Sequence, residues 1–413
     1  MNAAAGMFAR PAMRGAFPVR GLHSVKLYAP KIAWIIIPAC VLAATGLACQ
    51  AGAAQTTASQ TPTAQTGVAA ALQLHVSGNK LVNADGQTVV LHGVDYSGAE
   101  YQCVQNHGFF AGPTDEASVK AMKSWDINVV RLPVNEACWN GESYVNPAYA
   151  GGNYRNAIKA YVSLLNANGI VVILDLHWSG GIDPGNPQGC VTAQAVCQKP
   201  LPDAAGSVPF WSSAARTFKG DDAVIFDLFN EPYPGEILSD EAAAWACWRN
   251  GGSACPGFPY KVAGMQTLVN AVRGTGAKNV IMLGGLRYAN DLTGWLQYEP
   301  KDPDHNLAAS WHSYNFDPCN NQQCWTSQVD PVIAKVPVIA GEIGENDCAD
   351  NYIDPLMAYL DSKSTSYLAW SWNAYGGCAN APQLISSYSG TPTPYGAGYK
   401  SHLLALAREH TSR

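Results

Sequence analysis

Two carboxylates that end apolar stretches are the residues of this sequence best suited to chemistry. Glu231 comes near the end of AVIFDLFNEP, and Glu342 comes near the end of VPVIAGEIGE. Both stretches have the composition of buried strands, and Pro232 ends the first because it has no N–H to donate to a sheet. A protonated and an ionised carboxyl group together are what glycosidic bond cleavage needs. The sequence therefore predicts an acid and a nucleophile at the ends of two strands.

Alternating strand and helix patterns indicate the elements that position these two residues. Apolar runs predict eight strands, at 89–97, 127–134, 170–178, 223–230, 279–286, 307–314, 336–343 and 367–374. Helical patterns follow them at 116–124, 154–167, 210–218, 262–272, 292–297, 325–334, 352–362 and 401–408. Eight such units in about 340 residues predict an α/β fold, a single (β/α)8 TIM barrel.

A short N-terminal β-hairpin is predicted ahead of the barrel, because residues 72–90 contain two turn dipeptides between apolar runs. The structural alternative is a doubly wound open sheet. That fold would need a glycine-rich phosphate loop after an early strand, and the sequence has none.

Polar residues recur at the carboxyl ends of the predicted strands, where barrel enzymes place their active sites. Besides the two glutamates, the candidates are Tyr96, Arg131, His177, Trp178, Asn230, His312, Tyr314 and Trp372. Arg131 beside Glu342 would favour the ionised carboxylate, which leaves Glu231 as the acid. The competing interpretations are a structural ion pair for Arg131 and a core position for His177 or His312. For Asp175 and Asp227, just before their strand ends, a structural role is expected.

Composition limits the classes of partner. The chain has 413 residues, a net charge of −6 and no long run of Lys or Arg, which argues against a nucleic-acid partner. No cofactor is expected, and no metal, because His177 and His312 alone do not make a ligand cluster. We expect a monomer with no protein partner.

Residues 1–54 predict a signal peptide or an N-terminal membrane anchor. Basic residues precede the apolar run 32–48, and small residues follow it. Secretion is the leading expectation, while a form retained or acylated through residues 32–49 is the alternative, since Cys49 weakly resembles a lipoprotein acylation site. Residues 55–70 predict a disordered Thr/Gln/Ala-rich linker, and 71–413 the catalytic domain.

Ten cysteines follow the leader, and none is spaced as CxxC. In an exported protein this pattern favours disulfides over zinc. Three pairs are close in sequence: Cys190–Cys197, Cys247–Cys255 and Cys319–Cys324. The pairs Cys103–Cys138 and Cys348–Cys378 are predicted because neighbouring strands bring their following loops together.

An ordered set of motifs resembles glycoside hydrolase family five, the cellulase-type clan of retaining (β/α)8 enzymes. The motifs are VVRLPV, LDLHW, FDLFNEP, WHSY, AGE and LAWSW, and the resemblance covers about residues 72–410. It implies that Glu231 is the acid/base and Glu342 the nucleophile. It further implies that Asn230 binds the sugar 2-hydroxyl, and that Arg131 and Tyr314 hold the nucleophile ionised and oriented.

The remaining motif residues are assigned to the sugar itself. The resemblance implies that His177 and His312 shape the subsite of the sugar that is cleaved, and that Trp372 is its platform. Ile343 stands where the family often has an aromatic residue after the nucleophile, and Asp95 stands where the first strand often ends in Asn. Both departures leave the catalytic pair intact.

The expected function is a secreted retaining β-glycosidase that acts on a β-linked poly- or oligosaccharide, foremost as an endo-β-1,4-glucanase. A β-mannanase, an exoglucanase and a small β-glycoside hydrolase are alternatives within the class. The cysteine-bearing insertions 181–207 and 234–257 favour exo action or a small substrate if they close one end of the cleft. A non-catalytic carbohydrate-binding barrel is the alternative of another class.

Overall fold

A computed structural model describes residues 73–185, 190–375, 377–379 and 382–411. The predicted leader (1–54) and linker (55–70) lie outside the described residues. The chain described begins with an antiparallel hairpin of β1 (His75–Ser77) and β2 (Lys80–Val82), which confirms the predicted hairpin. Among the described residues, no helix is both long and apolar enough to span a bilayer.

Eight parallel strands close into a barrel in chain order, and β10 pairs with β3 to complete it. The strands are β3 (His92–Asp95), β4 (Val129–Asn135), β5 (Val171–Trp178), β6 (Val224–Asp227), β7 (Ile281–Gly284), β8 (Leu307–Tyr314), β9 (Val338–Gly344) and β10 (Ser366–Ala369). Each lies within or beside its predicted run. The (β/α)8 barrel is therefore confirmed, and the open sheet is excluded.

Helices surround this barrel. They are α1 (Glu116–Lys123), α2 (Glu136–Asn140), α3 (Gly152–Ala167), α4 (Ser207–Phe218), α5 (Glu241–Asn250), α6 (Met265–Arg273), α7 (Gln322–Cys324), α8 (Asp330–Ile333), α9 (Ile353–Ser362) and α10 (Pro394–Thr411), and a π-helical turn (Trp325–Val329) joins α7 to α8. The helix predicted at 292–297 is wrong, because that segment forms turns. The last helix begins at Pro394, after a hairpin of β11 (Ile385–Ser387) and β12 (Thr391–Pro392).

The barrel interior changes from apolar to polar along the strands. Its lower part is filled by residues such as Val129, Ile173 and Ile225. Successive side chains of a strand point to opposite faces, so Arg131 and Asp175, two residues further on, point to the same interior. The apolar layer thus seals the barrel below, and the polar residues meet at the carboxyl ends.

All five predicted disulfides are confirmed. They are Cys103–Cys138, Cys190–Cys197, Cys247–Cys255, Cys319–Cys324 and Cys348–Cys378. Each of these cysteines lies in a connection that leads from a barrel strand to the helix that returns the chain. The bonds therefore brace the loops on the face where the polar residues meet.

Candidate active site

Arg131 is the centre of the polar cluster, and its guanidinium is fully buried. One guanidinium contacts four carboxyl groups and one amide. The distances are 2.8 Å to Glu342 Oε1, 3.0 Å to Asp95 Oδ1, 3.0 Å to Asp227 Oδ2, 3.1 Å to Asp175 Oδ2 and 2.8 Å to Asn230 Oδ1. These partners lie in or just after four strands, β3, β5, β6 and β9, so Arg131 in β4 ties the carboxyl edge of the barrel together.

The charges of this cluster do not balance if every group is ionised. Burial alone would lower the pKa of Arg131, but Asp175 and the other carboxylates raise it, so the guanidinium stays charged. Burial raises the pKa of Asp95 and Asp227 well above the usual range, although Arg131 opposes this. The cluster therefore carries less negative charge than four ionised carboxylates would give it.

Glu342 receives two hydrogen bonds that suit an ionised carboxylate. Arg131 donates to Oε1 at 2.8 Å, and the Tyr314 hydroxyl donates to Oε2 at 2.6 Å. Burial, and then the nearby Glu342, raise the pKa of Tyr314, so its hydroxyl keeps its proton. The Glu342 side chain is 4% exposed. It is thus held in one orientation within an almost closed environment.

A register shift in the sheet aims Glu342 into the barrel. Trp311 in β8 lies opposite Ala340 in β9, but the next residue, His312, lies opposite Glu342, so Gly341 is skipped. A bulge of this kind redirects a side chain. A Cβ atom on Gly341 would lie 2.9 Å from Ser310 Oγ and 3.0 Å from His312 Nε2, so glycine leaves the space that this turn of the strand requires.

Glu231 is more open than Glu342, with 13% of its side chain exposed. Its Oε1 lies 3.0 Å from His312 Nδ1, and its Oε2 accepts a hydrogen bond from Gln198 at 2.9 Å. Burial lowers the pKa of His312 to about 3, so this imidazole is neutral. A carboxyl oxygen of Glu231, a ring nitrogen of His312 and a carboxyl oxygen of Glu342 all lie within 4.8 Å of one another.

His177 forms a second charged pair beside the cluster. Its Nδ1 lies 2.6 Å from Asp175 Oδ2, and its ring stacks on Trp370 with centroids 5.5 Å apart. Burial opposes the charged imidazolium, but Asp175 raises the pKa of His177 to about 8. Trp370 is half-buried and comes directly after β10. A cation and a partly open indole face thus lie side by side at the barrel mouth.

Two of the predicted site residues lie elsewhere. Trp372 is 0% exposed and packs edge-on against Trp125, so its prediction as a sugar platform is wrong. Tyr96 is also 0% exposed, and its hydroxyl donates to the Pro113 carbonyl, so its place in the substrate site is wrong as well. Asp95 points into the barrel, and the next residue in a strand points away from it.

The other predicted residues are brought together by the fold: Glu231, Glu342, Arg131, His177, Asn230, His312 and Tyr314. Trp178 packs beside Tyr101 at a centroid distance of 6.2 Å, and a register shift between β4 and β5 places it opposite Asn135. Its contact with a sugar stays a prediction.

Sequence reasoning missed Gln198 and Trp370 as contributors to the site. Asp175 and Asp227 were expected to have a structural role, and both form buried ion pairs with Arg131. Their spacing of two and four residues before the strand ends places them on the inward face, and that spacing is the available signal. Gln198 lies in a loop and carries no such periodic signal.

The positions of the site residues also show how well the site suits a metal ion. Glu231, His312 and Glu342 are the group, among the described residues, whose atoms are close enough to hold an ion. Arg131 and Tyr314 already donate to the two oxygens of Glu342. A cation there would face the guanidinium of Arg131, so the donor set fits acid–base chemistry better than metal binding.

A (β/α)8 barrel with two close carboxyl groups at the carboxyl ends of its strands is an arrangement typical of barrel enzymes. A comparison with known protein families matches residues 82–376 to Cellulase (glycosyl hydrolase family 5). The chain belongs to this family and is a glycoside hydrolase.

Individual relatives are distant. The chain is 22% identical to a mannan endo-1,4-beta-mannosidase of Streptomyces lividans over 331 residues, 78% of this chain and 71% of that protein. It is 23% identical to an endoglucanase of Paenibacillus polymyxa over 333 residues, 73% of this chain and 80% of that protein. A solved β-glucanase of Saccharophagus degradans shares the fold with a TM-score of 0.61 and 20% identity, covering 81% of this chain and 93% of that one.

Proposed function

We propose that this protein hydrolyses β-1,4 linkages within a glucan chain, with retention of the anomeric configuration. The observation that carries the proposal is the closeness of the two carboxyl groups, since one oxygen of Glu231 and one oxygen of Glu342 lie within 4.8 Å of each other. Retaining enzymes place these groups about 5–5.5 Å apart, whereas inverting enzymes leave about 6.5–9.5 Å for a water molecule. The pair therefore suits direct attack on the sugar.

In the first step, Glu342 attacks the anomeric carbon and a covalent glycosyl–enzyme forms. Glu231 gives its proton to the departing glycosidic oxygen, which leaves as a hydroxyl group. In the second step, Glu231 takes a proton from a water molecule, whose oxygen attacks the anomeric carbon and releases Glu342. Arg131 and Tyr314 stabilise the ionised Glu342 before attack and after release.

The surrounding residues suit a sugar ring at the same place. Asn230 accepts from Arg131 through its carbonyl oxygen, which leaves its amide nitrogen to hydrogen-bond a sugar hydroxyl. Trp370, half-buried beside His177, takes the platform role that Trp372 cannot fill. An indole face and a charged imidazole can contact the apolar face and the hydroxyl groups of one sugar.

Glucan is the proposed substrate and mannan the second candidate. The relatives reported above are named for both activities, and their identities of 22% and 23% do not separate the two. Both polymers consist of β-1,4-linked hexoses, and the two carboxyl groups would act on either one in the same way. The two substrates are therefore arms of one experiment.

Purified protein should be assayed on carboxymethylcellulose, mixed-linkage glucan, mannan and aryl β-glycosides, beside Glu342→Gln. We expect rapid loss of viscosity of a glucan and a loss of about 10³-fold or more in the variant. Glu142→Gln, a change at an exposed glutamate, serves as the control and should retain activity. Hydrolysis of mannan alone would support the second candidate, and failure on every substrate would support a non-catalytic barrel.

We also propose that the protein is exported. Five disulfides in the described chain support this, because such bonds persist in oxidising compartments. Mass spectrometry of protein recovered from the culture medium would locate its N-terminus, and protein found only inside cells would contradict the proposal.

A further inference from the structure

The loop between β5 and α4 runs over the end of β6, where Glu231 lies. The Cys190–Cys197 disulfide closes part of this loop, and Gln198 follows the second cysteine directly. The Gln198 amide nitrogen lies 2.9 Å from Glu231 Oε2 and 3.2 Å from the Glu231 backbone carbonyl oxygen. A residue outside the barrel strands thus contacts the proposed acid/base.

These two contacts define which end of the amide faces Glu231. A backbone carbonyl oxygen accepts hydrogen bonds and cannot donate, whatever the protonation state of the side chain. The Gln198 nitrogen, which donates, must therefore face it, and the same nitrogen then donates to Glu231 Oε2. His312 contacts the other oxygen, Oε1, at 3.0 Å. The carboxyl group is held at both oxygens.

The backbone around Gln198 is itself fixed. Its carbonyl oxygen accepts from the Tyr233 hydroxyl at 3.1 Å, and the Pro200 carbonyl accepts from the Tyr233 backbone N–H at 2.9 Å. Lys199 is buried, and its Nζ donates to the carbonyl oxygens of Cys190 at 2.9 Å and Thr192 at 2.8 Å. These bonds join the disulfide loop to the segment that carries Glu231.

We propose that Gln198 is a positioning residue for the carboxyl group of Glu231. It fixes the plane of that group together with His312, so that one orientation serves both proton donation and proton removal. This inference rests on the proposed function, since it assigns Glu231 as the acid/base. The loop closed by the Cys190–Cys197 disulfide would then contribute to the reaction by holding Gln198 beside Glu231.

The test measures kcat/KM for a series of aryl β-glycosides whose leaving groups differ in acidity. The series is built on cellobiose or mannobiose, whichever the unmodified enzyme hydrolyses. A poor leaving group needs a proton from the acid, and a very acidic one such as 2,4-dinitrophenol does not. We expect Gln198→Ala to lower kcat/KM about tenfold for poor leaving groups, a part of the 10²- to 10⁴-fold effect of a general acid. For the 2,4-dinitrophenyl glycoside we expect less than a twofold change, within the same general-acid scheme.

Controls separate positioning from loop damage. Gln194→Ala changes an exposed glutamine of the same disulfide loop and should leave the whole series unchanged. Gln198→Glu puts a second carboxylate beside Glu231, which disfavours its ionisation, so the alkaline limb of the pH–rate profile should move to higher pH.

Equal losses for all leaving groups in Gln198→Ala, or no loss at all, would overturn the inference. Glu231→Ala decides whether the proposed function itself holds. If that variant shows no dependence on the leaving group, the assignment of the acid/base fails. If the loss in Glu231→Ala depends on the leaving group and the loss in Gln198→Ala does not, only the proposed role of Gln198 fails.

Discussion

His312 and Glu342 lie opposite each other on neighbouring strands because β9 skips Gly341 at that point. Without the shift, His312 would lie opposite Gly341 and Glu342 would point out of the barrel. The bulge therefore creates the approach between Glu342 and Glu231, on which the proposed reaction depends. It also brings His312 Nδ1 within 3.7 Å of Glu342 Oε2.

Azide should distinguish the two carboxyl groups. In Glu342→Ala, azide takes the place of the nucleophile and should give an α-glycosyl azide. In Glu231→Ala it attacks the glycosyl–enzyme from the other face and should give the β-anomer. Proton NMR of the products formed from an activated aryl glycoside identifies the anomer of the glycosyl azide. The same anomer from both variants would contradict the assignment of roles.

Arg131→Met should destabilise the fold strongly. It leaves four buried carboxyl groups without their cation, and removing one partner of a buried ion pair typically costs about 3–5 kcal/mol. Urea unfolding measures the loss. Adding Asp227→Asn should restore part of the stability, because it removes one of the uncompensated groups. A double variant no more stable than the single one would show that charge is not the cause.

Trp370→Ala should weaken substrate binding, whereas Trp372→Ala should lower the stability of the fold. Trp370 borders the site, so its loss should raise KM about tenfold, the effect of about 1.4 kcal/mol of binding. Trp372 is fully buried, so its loss should lower the free energy of unfolding by about 3–5 kcal/mol. Kinetics and urea unfolding of both variants measure the two effects. A larger KM effect from Trp372→Ala would restore the original assignment.

The stabilising effect of His177 should depend on pH. The pKa of its imidazole is about 8 in the folded chain against 6.5 ordinarily, so folding favours the charged form. This contribution is complete below about pH 6.5 and is lost as the pH rises through about 8. The rise in the pKa of His177 from 6.5 to about 8 corresponds to about 2 kcal/mol of unfolding free energy.

Urea unfolding of the unmodified protein and of His177→Gln at pH 6 and pH 9 tests this. The stability gap between the two proteins should narrow at the higher pH. A gap that is the same at both values would mean that His177 does not titrate in this range.

The barrel and the two glutamates could be predicted because their signals are local. An apolar run such as 223–230 indicates a strand wherever it lies, and a polar residue at its end indicates a site. The directions in which individual side chains point were harder to predict from the sequence. Tyr96 and Trp372 are aromatic residues near strand ends, and the sequence pattern did not show that both side chains point into the layer between strands and helices.

The remaining contacts depend on parts of the chain that are distant in sequence. The bulge at Gly341 appears only once β8 and β9 are paired, because register is a property of two strands. Gln198 reaches Glu231 through a loop whose course depends on Tyr233 and Lys199. Such contacts leave no periodic pattern and no motif in the sequence.

The disulfides divide the molecule into two parts with different requirements for its production. The barrel strands and their apolar layer contain none of the ten cysteines that the described chain pairs, whereas the connections that follow the strands, including α2, α5 and α7, contain all of them. A reducing host should therefore yield a soluble barrel whose loops are unbraced. Circular dichroism would report a folded protein while activity was low, and reoxidation, without refolding, should recover it.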